Sequence, residues 1–191
     1  VSEEKYNAMY EGSINQPEIF WAVQSQRIDW FKKPTIIKNT HFGSAENKNV
    51  SIKWYEDGQL NACFNCVDRH LPHKENDVAL IWESDEPDLD VKVTYGQLKG
   101  EVCRLANALK ALGVSKGDRV ILYMPMVLEA VYAMLACARI GAVHSVVFGG
   151  FSPDALHNRI EDCGAKIVIT ADEGVRGGKT IRLKNNVDEA V

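Results

Sequence analysis

Arg119-Val120-Ile121-Leu122-Tyr123-Met124-Pro125, followed by Val127 to Ile140, Gly141, and Ala142 to Phe148, is the stretch from which the fold is read. An apolar run ended by proline reads as a buried strand, because proline cannot donate to a sheet ladder. Val127 to Ile140 is apolar almost all round, so it predicts a helix covered on more than one side and closed by Gly141. Ala142 to Phe148 then reads as a second strand. Beyond it, Ser152-Pro153 caps a helix that runs to Cys163 and stops at Gly164, and Lys166 to Thr170 is a further strand. Upstream, Thr94 and Gln97 form a capping-box pair ahead of Leu98, Val102, Leu105, Leu109 and Leu112, which recur at helical spacing up to Gly113. Val78 to Trp82 and Val91 to Val93 are shorter extended candidates. Strands alternating with helices through short loops imply right-handed crossovers. The fold class is therefore α/β, a mainly parallel sheet with flanking helices, and its ligands are expected beyond the carboxyl ends of the strands.

Residues 1–75 lack this regularity and predict an irregular helical and aromatic N-terminal arm that docks on the α/β portion, residues 76–191. In the arm, Asn15-Gln16-Pro17-Glu18 reads as a capped helix start. Asn61 to Leu71 reads as one short helix halted by Pro72, and Phe42 to Asn49 as polar loop. The chain has 191 residues, 46% of them apolar, enough for a globular core. A net charge of −4 offers no electrostatic footprint for nucleic acid. No apolar stretch reaches the length of a membrane span, and no secretory signal is visible. Five scattered cysteines, three within apolar patterns, point to a reducing, cytoplasmic setting. The chain ends at Val191 inside an incipient helix and reads as a fragment.

The segment Ala171 to Lys184 carries the most chemistry. Arg176 and Lys179 flank Gly177-Gly178, so a guanidinium and an ammonium can converge on one phosphate while glycine N–H groups approach it. The same residues would also serve as a solvated basic loop. Gly178-Lys179-Thr180 ends like a P-loop, but its first glycine would have to stand where Glu173 does, and no clear helix begins at Lys179. Gly149-Gly150, between a strand and a helix start, can admit a phosphate or simply turn the chain. Cys63, Cys66, His70 and His73 lack the spacing of two zinc-ligand pairs; the first three share a face of one predicted helix, with the cysteines in the core.

Lys116 to Met126, Ala133 to Ser152, Ile169 to Lys179, Phe64 to Leu71 and Ala79 to Glu83 resemble the AMP-forming acetyl-CoA synthetases of the adenylate-forming superfamily, along nearly the whole chain. The resemblance implies an acetate–CoA ligase that joins acetate and ATP, with Mg2+, into acetyl-adenylate and passes the acetyl group to CoA. It places the fragment in the N-terminal part of the large AMP-binding domain, whose partners would be those small molecules and the remainder of its own chain, with no nucleic acid and no membrane. It assigns CoA binding to Arg176, Gly177, Gly178 and Lys179, and implies that Phe148, Gly149 and Gly150 help hold the adenine and nearby phosphate. Lys179 stands where the family commonly has arginine, and Arg182 where it often has proline. No catalytic position and no metal site falls within the fragment, which is expected to be inactive alone. The alternatives are a propionyl-CoA or other short-chain acyl-CoA synthetase, or a non-catalytic nucleotide- or CoA-binding or docking module.

Overall fold

Ser2 caps the first helix of the chain: its hydroxyl accepts from the Lys5 N–H at 3.3 Å, and Glu3 and Glu4 complement the helix dipole. The structure, a computed structural model, describes residues 2–44, 48–86 and 88–191. It divides into two compact units, residues 1–61 and 62–191.

The first unit holds α1 (Glu3–Asn15), α2 (Pro17–Ser25) and an antiparallel hairpin of β1 (Lys38–His41) and β2 (Ser51–Trp54). Helix α1 and both strands go beyond the irregular arm expected from sequence. Pro17 opens α2 as expected, but Gln16 is its cap residue and supplies no side-chain cap. The loop expected over 42–49 joins the two strands; its residues 45–47 lie outside the described residues. Aromatic rings meet one another, Trp21 with Trp54 at 5.9 Å and Trp30 with Tyr55 at 5.4 Å between centroids. Asp57 ties down the segment before β1, accepting from the Thr35 and Ile36 N–H groups at 2.9 and 3.0 Å.

The second unit begins with α3 (Ala62–Cys66), a 3₁₀ turn (Asp68–His70) and α4 (Leu71–Lys74). The single helix expected over 61–71 is thus broken, and Pro72 lies in the first turn of α4 instead of ending a helix, a position where its missing N–H costs nothing. This segment belongs to the second unit, in whose core Cys63 and Val67 are fully buried.

There follow an antiparallel pair, β3 (Val78–Glu83) and β4 (Asp90–Thr94), and then α5 (Tyr95–Ala111). The Thr94–Gln97 capping box is present with both of its hydrogen bonds. Next come β5 (Arg119–Tyr123), α6 (Leu128–Ile140), β6 (Val143–Val146), α7 (Pro153–Cys163) and β7 (Ile167–Thr170). The three strands form a parallel sheet in the order β6-β5-β7. Gly141 and Gly164 take left-handed conformations, with φ of 76° and 57°, where the sequence places helix stops.

Strand β5 alternates between two cores. Val120 and Leu122 are buried with Leu98, Val102, Leu109, Ala133 and Cys137, on the side of α5 and α6. Ile121 and Tyr123 are buried with Leu156, Leu183 and Val187 on the other. Cover on both faces explains why β5 reads as an unbroken apolar run. Arg119 adds a polar closure: its guanidinium donates to the Cys163 and Gly164 carbonyls at 2.6 and 2.9 Å, capping the end of α7.

The segment after β7, expected as loop, folds into a second hairpin, β8 (Gly174–Arg176) and β9 (Lys179–Ile181), followed by α8 (Leu183–Ala190).

Candidate functional site

The carboxyl end of β6 leads into the turn 148–151, and that of β7 into the β8–β9 hairpin. In the hairpin, Gly177 and Gly178 form a two-residue loop with φ of 55° and 73°, the left-handed pair that a type I′ turn needs. Arg176 and Lys179 are direct cross-strand partners and therefore share a face of the ribbon. Like charges set opposite each other repel, so this arrangement favours an anion between them. Among the described residues neither cation has an ion-pair partner.

Phe148 joins this pair. The Arg176 guanidinium lies 4.8 Å from its ring centroid. The Phe148 ring meets Phe151 edge-on at 5.7 Å, and Arg159 of α7 lies 4.5 Å over Phe151. The result is a stair of Arg176, Phe148, Phe151 and Arg159, with Phe148 52% exposed and able to offer its ring to a flat ligand group.

The turn itself is a β-turn, closed by the Phe151 N–H donating to the Phe148 carbonyl at 3.0 Å. Space is tight at its two central glycines. A Cβ on Gly150 would stand 2.5 Å from the Phe148 ring, and one on Gly149 would stand 3.3 Å from Leu183. The base of the hairpin is equally tight, since a Cβ on Gly174 would lie 2.9 Å from Pro125.

The sequence-predicted site residues thus separate into two connected groups. Arg176, Gly177, Gly178 and Lys179 make one hairpin tip, and Phe148 reaches it through the guanidinium. Gly149 and Gly150 lie behind Phe148 in the turn. Sequence reasoning missed Arg159, which belongs to no motif.

The cysteine–histidine set does not share one helix. Cys63 and Cys66 lie on α3, and His70 in the 3₁₀ turn. Cys63 is buried, whereas Cys66 is exposed, contrary to the core position expected for it. Burial pushes the Cys63 thiol up to about 11, and its sulfur accepts from Arg139 at 3.6 Å while Asp68 grips that guanidinium at 2.7 and 2.8 Å. Among the described residues no group of three His, Cys, Asp or Glu side chains could hold a metal ion, and no helix is long and apolar enough to cross a membrane.

Comparison with known proteins gives matches over both units. A family model described as AMP-binding enzyme matches residues 67–190, and one described as acetyl-coenzyme A synthetase N-terminus matches residues 6–66. The acetyl-coenzyme A synthetase of Parvibaculum lavamentivorans is 64% identical over all 191 residues of this chain. Those of Bradyrhizobium diazoefficiens and Bartonella quintana are 58% and 57% identical over the same span. The chain spans 29% of the length of each of these relatives.

Proposed function

The chain belongs to the AMP-binding enzyme family, and from that premise we propose that it is the N-terminal part of an AMP-forming acetate–CoA ligase and supplies one wall of the CoA site. The full chain would join acetate and ATP, accompanied by Mg2+, into acetyl-adenylate and pyrophosphate. It would then pass the acetyl group to the CoA thiol and release AMP. In this reading acetate, ATP and CoA are the partners, and the residues described here bind and orient without forming or breaking bonds.

The observation that carries the reading is the hairpin tip, with Arg176 and Lys179 on one face and Phe148 beneath the guanidinium. CoA has an adenine, a 3′-phosphate and a pyrophosphate, which call for an aromatic platform beside converging cations. Arg176 can donate two parallel hydrogen bonds to a phosphate; Lys179 acts as a point charge. Phe148 offers its ring to the adenine, and the small Gly149-Gly150 turn keeps a side chain out of the path of the nearby phosphate.

The test is steady-state kinetics of the full chain. Arg176→Ala is expected to raise the KM for CoA by about ten- to a hundredfold, the loss of one charge-assisted hydrogen bond at about 1.5–3 kcal/mol. Acetate-dependent pyrophosphate release should be retained. The penalty should shrink when 3′-dephospho-CoA replaces CoA, provided the 3′-phosphate is the group held. An unchanged CoA KM removes Arg176 from the site and the reading with it. The 191-residue chain alone is expected to release no pyrophosphate, and turnover by it would overturn the assignment of the chemistry to the remainder of the protein.

A further inference from the structure

Tyr123 is the largest fully buried side chain, and its hydroxyl is the polar centre of the otherwise apolar core around Ile121, Leu156 and Leu183. The hydroxyl lies 2.8 Å from the Phe151 carbonyl and 3.1 Å from the Gly149 carbonyl, and it accepts from the Asn186 amide nitrogen at 3.0 Å. One phenol proton therefore serves two carbonyls of the same turn, with Asn186 of α8 filling its lone pair. Helix α8 is tied to the hairpin segment as well: the Lys184 N–H donates to the Asp172 carbonyl at 3.1 Å. Its Leu183 lies beside both Gly149 and Gly174, at 3.3 and 3.5 Å from where their Cβ atoms would stand.

We infer that Tyr123 and Asn186 are a positioning clamp for the CoA site. They hold the 148–151 turn at a set distance from the Arg176–Lys179 hairpin, so that ring and cations meet one ligand together. The inference rests on the reading of that site given above and extends it to two residues that do not touch the ligand. A purely structural role is the competing account. Buried phenols often serve the core alone, but this one spends both hydrogen-bonding functions on the ligand-bearing turn and the helix that braces the hairpin.

The experiment compares Tyr123→Phe, Asn186→Ala and the double variant in the full chain. KM is measured separately for CoA, acetate and ATP, and thermal unfolding alongside. Each single variant should raise the CoA KM about fivefold, as expected for one net neutral hydrogen bond, with far smaller changes for acetate and ATP. The double variant should be no worse than the more damaging single one, because both remove the same network. A CoA KM that does not move, or three KM values that rise together, overturns the clamp. If Tyr123→Phe fails to fold, Asn186→Ala carries the test, since its side chain is only part-buried. Arg176→Ala run in parallel separates the two claims. No effect there removes the site itself, whereas an effect there with silent Tyr123 and Asn186 variants removes the clamp alone.

Discussion

The two-glycine tip of the β8–β9 hairpin gives a graded test of the whole site. Gly177 and Gly178 both have positive φ, at 55° and 73°, and neither would meet another atom with an added Cβ. Any penalty for alanine is therefore conformational and not steric. For an L-residue the left-handed region costs roughly 1–2 kcal/mol. The hairpin has little to set against that cost. Its strands are three residues each, its exposed Val175 contributes no core, and isolated two-stranded ribbons are marginal. Gly177→Ala and Gly178→Ala should thus shift the local open–closed balance by about 5–30-fold. Gly177→Asn should remain close to wild type, because Asn-Gly is a favoured pair for a type I′ turn. The assay is amide hydrogen exchange across residues 174–181, with the CoA KM as a second readout. Exchange should accelerate in both alanine variants and hardly at all in the asparagine variant, and the KM should follow the same order. Equal behaviour of Gly177→Ala and Gly177→Asn would refute the reasoning, for then positive φ is not what the tip requires. Faster exchange with an unmoved KM would show that the hairpin's order is irrelevant to the ligand.

The remaining predictions concern stability. Hydrogen bonds, first from the Ile36 N–H and then from the Thr35 hydroxyl, hold Asp57 at about 2, below its ordinary 3.8. Because the folded value lies below the unfolded one, its stabilisation is complete above 3.8 and lost as pH falls toward about 2, and Asp57→Asn should flatten the acid limb of an unfolding curve in that window. Asp68→Ala removes the carboxylate that accepts two hydrogen bonds from the Arg139 guanidinium, and should cost on the order of 2–3 kcal/mol in urea unfolding, less than a wholly buried pair. Asp68→Asn should recover part of that loss by keeping one hydrogen-bond acceptor.

What the sequence made legible follows from where each residue's partners lie. Strand β5 lies between two cores and helix α6 packs into one of them, so their apolar runs and the glycine stop after α6 are written locally. The Thr94–Gln97 box is equally local, with both of its partners inside one turn. Helix α1 was missed because it buries none of its residues; Tyr6, Tyr10 and Ile14 stay exposed and give no one-sided stripe. The β8–β9 hairpin was missed for a related reason, since three-residue strands with solvent on their faces show no alternation to count. At Val67 the backbone leaves helical geometry, with φ of −124° and ψ of −67°, and the chain continues as the 3₁₀ turn Asp68–His70, a change that no propensity in the sequence marks.

The same distinction runs through the site and explains which half of it can be found without a structure. The groups proposed to touch the ligand carry their own chemistry, so Arg176, Lys179 and the paired glycines announce themselves by type and spacing. Groups that hold those in place are selected for geometry, and their partners are remote: Asn186 meets Tyr123 across 63 residues of chain. A phenol ending an apolar strand is visible, but the two carbonyls it serves are ordinary peptide groups that leave no mark in the sequence. Leu183 reads as any core leucine until Gly149 and Gly174 are found beside it, both small enough to let α8 approach. Changes at the cations should therefore act on affinity directly, whereas changes at Tyr123, Leu183 or Asn186 should act through the spacing between turn and hairpin. That spacing is the variable which a ligand spanning both would sense, and repair at either end alone would not restore it.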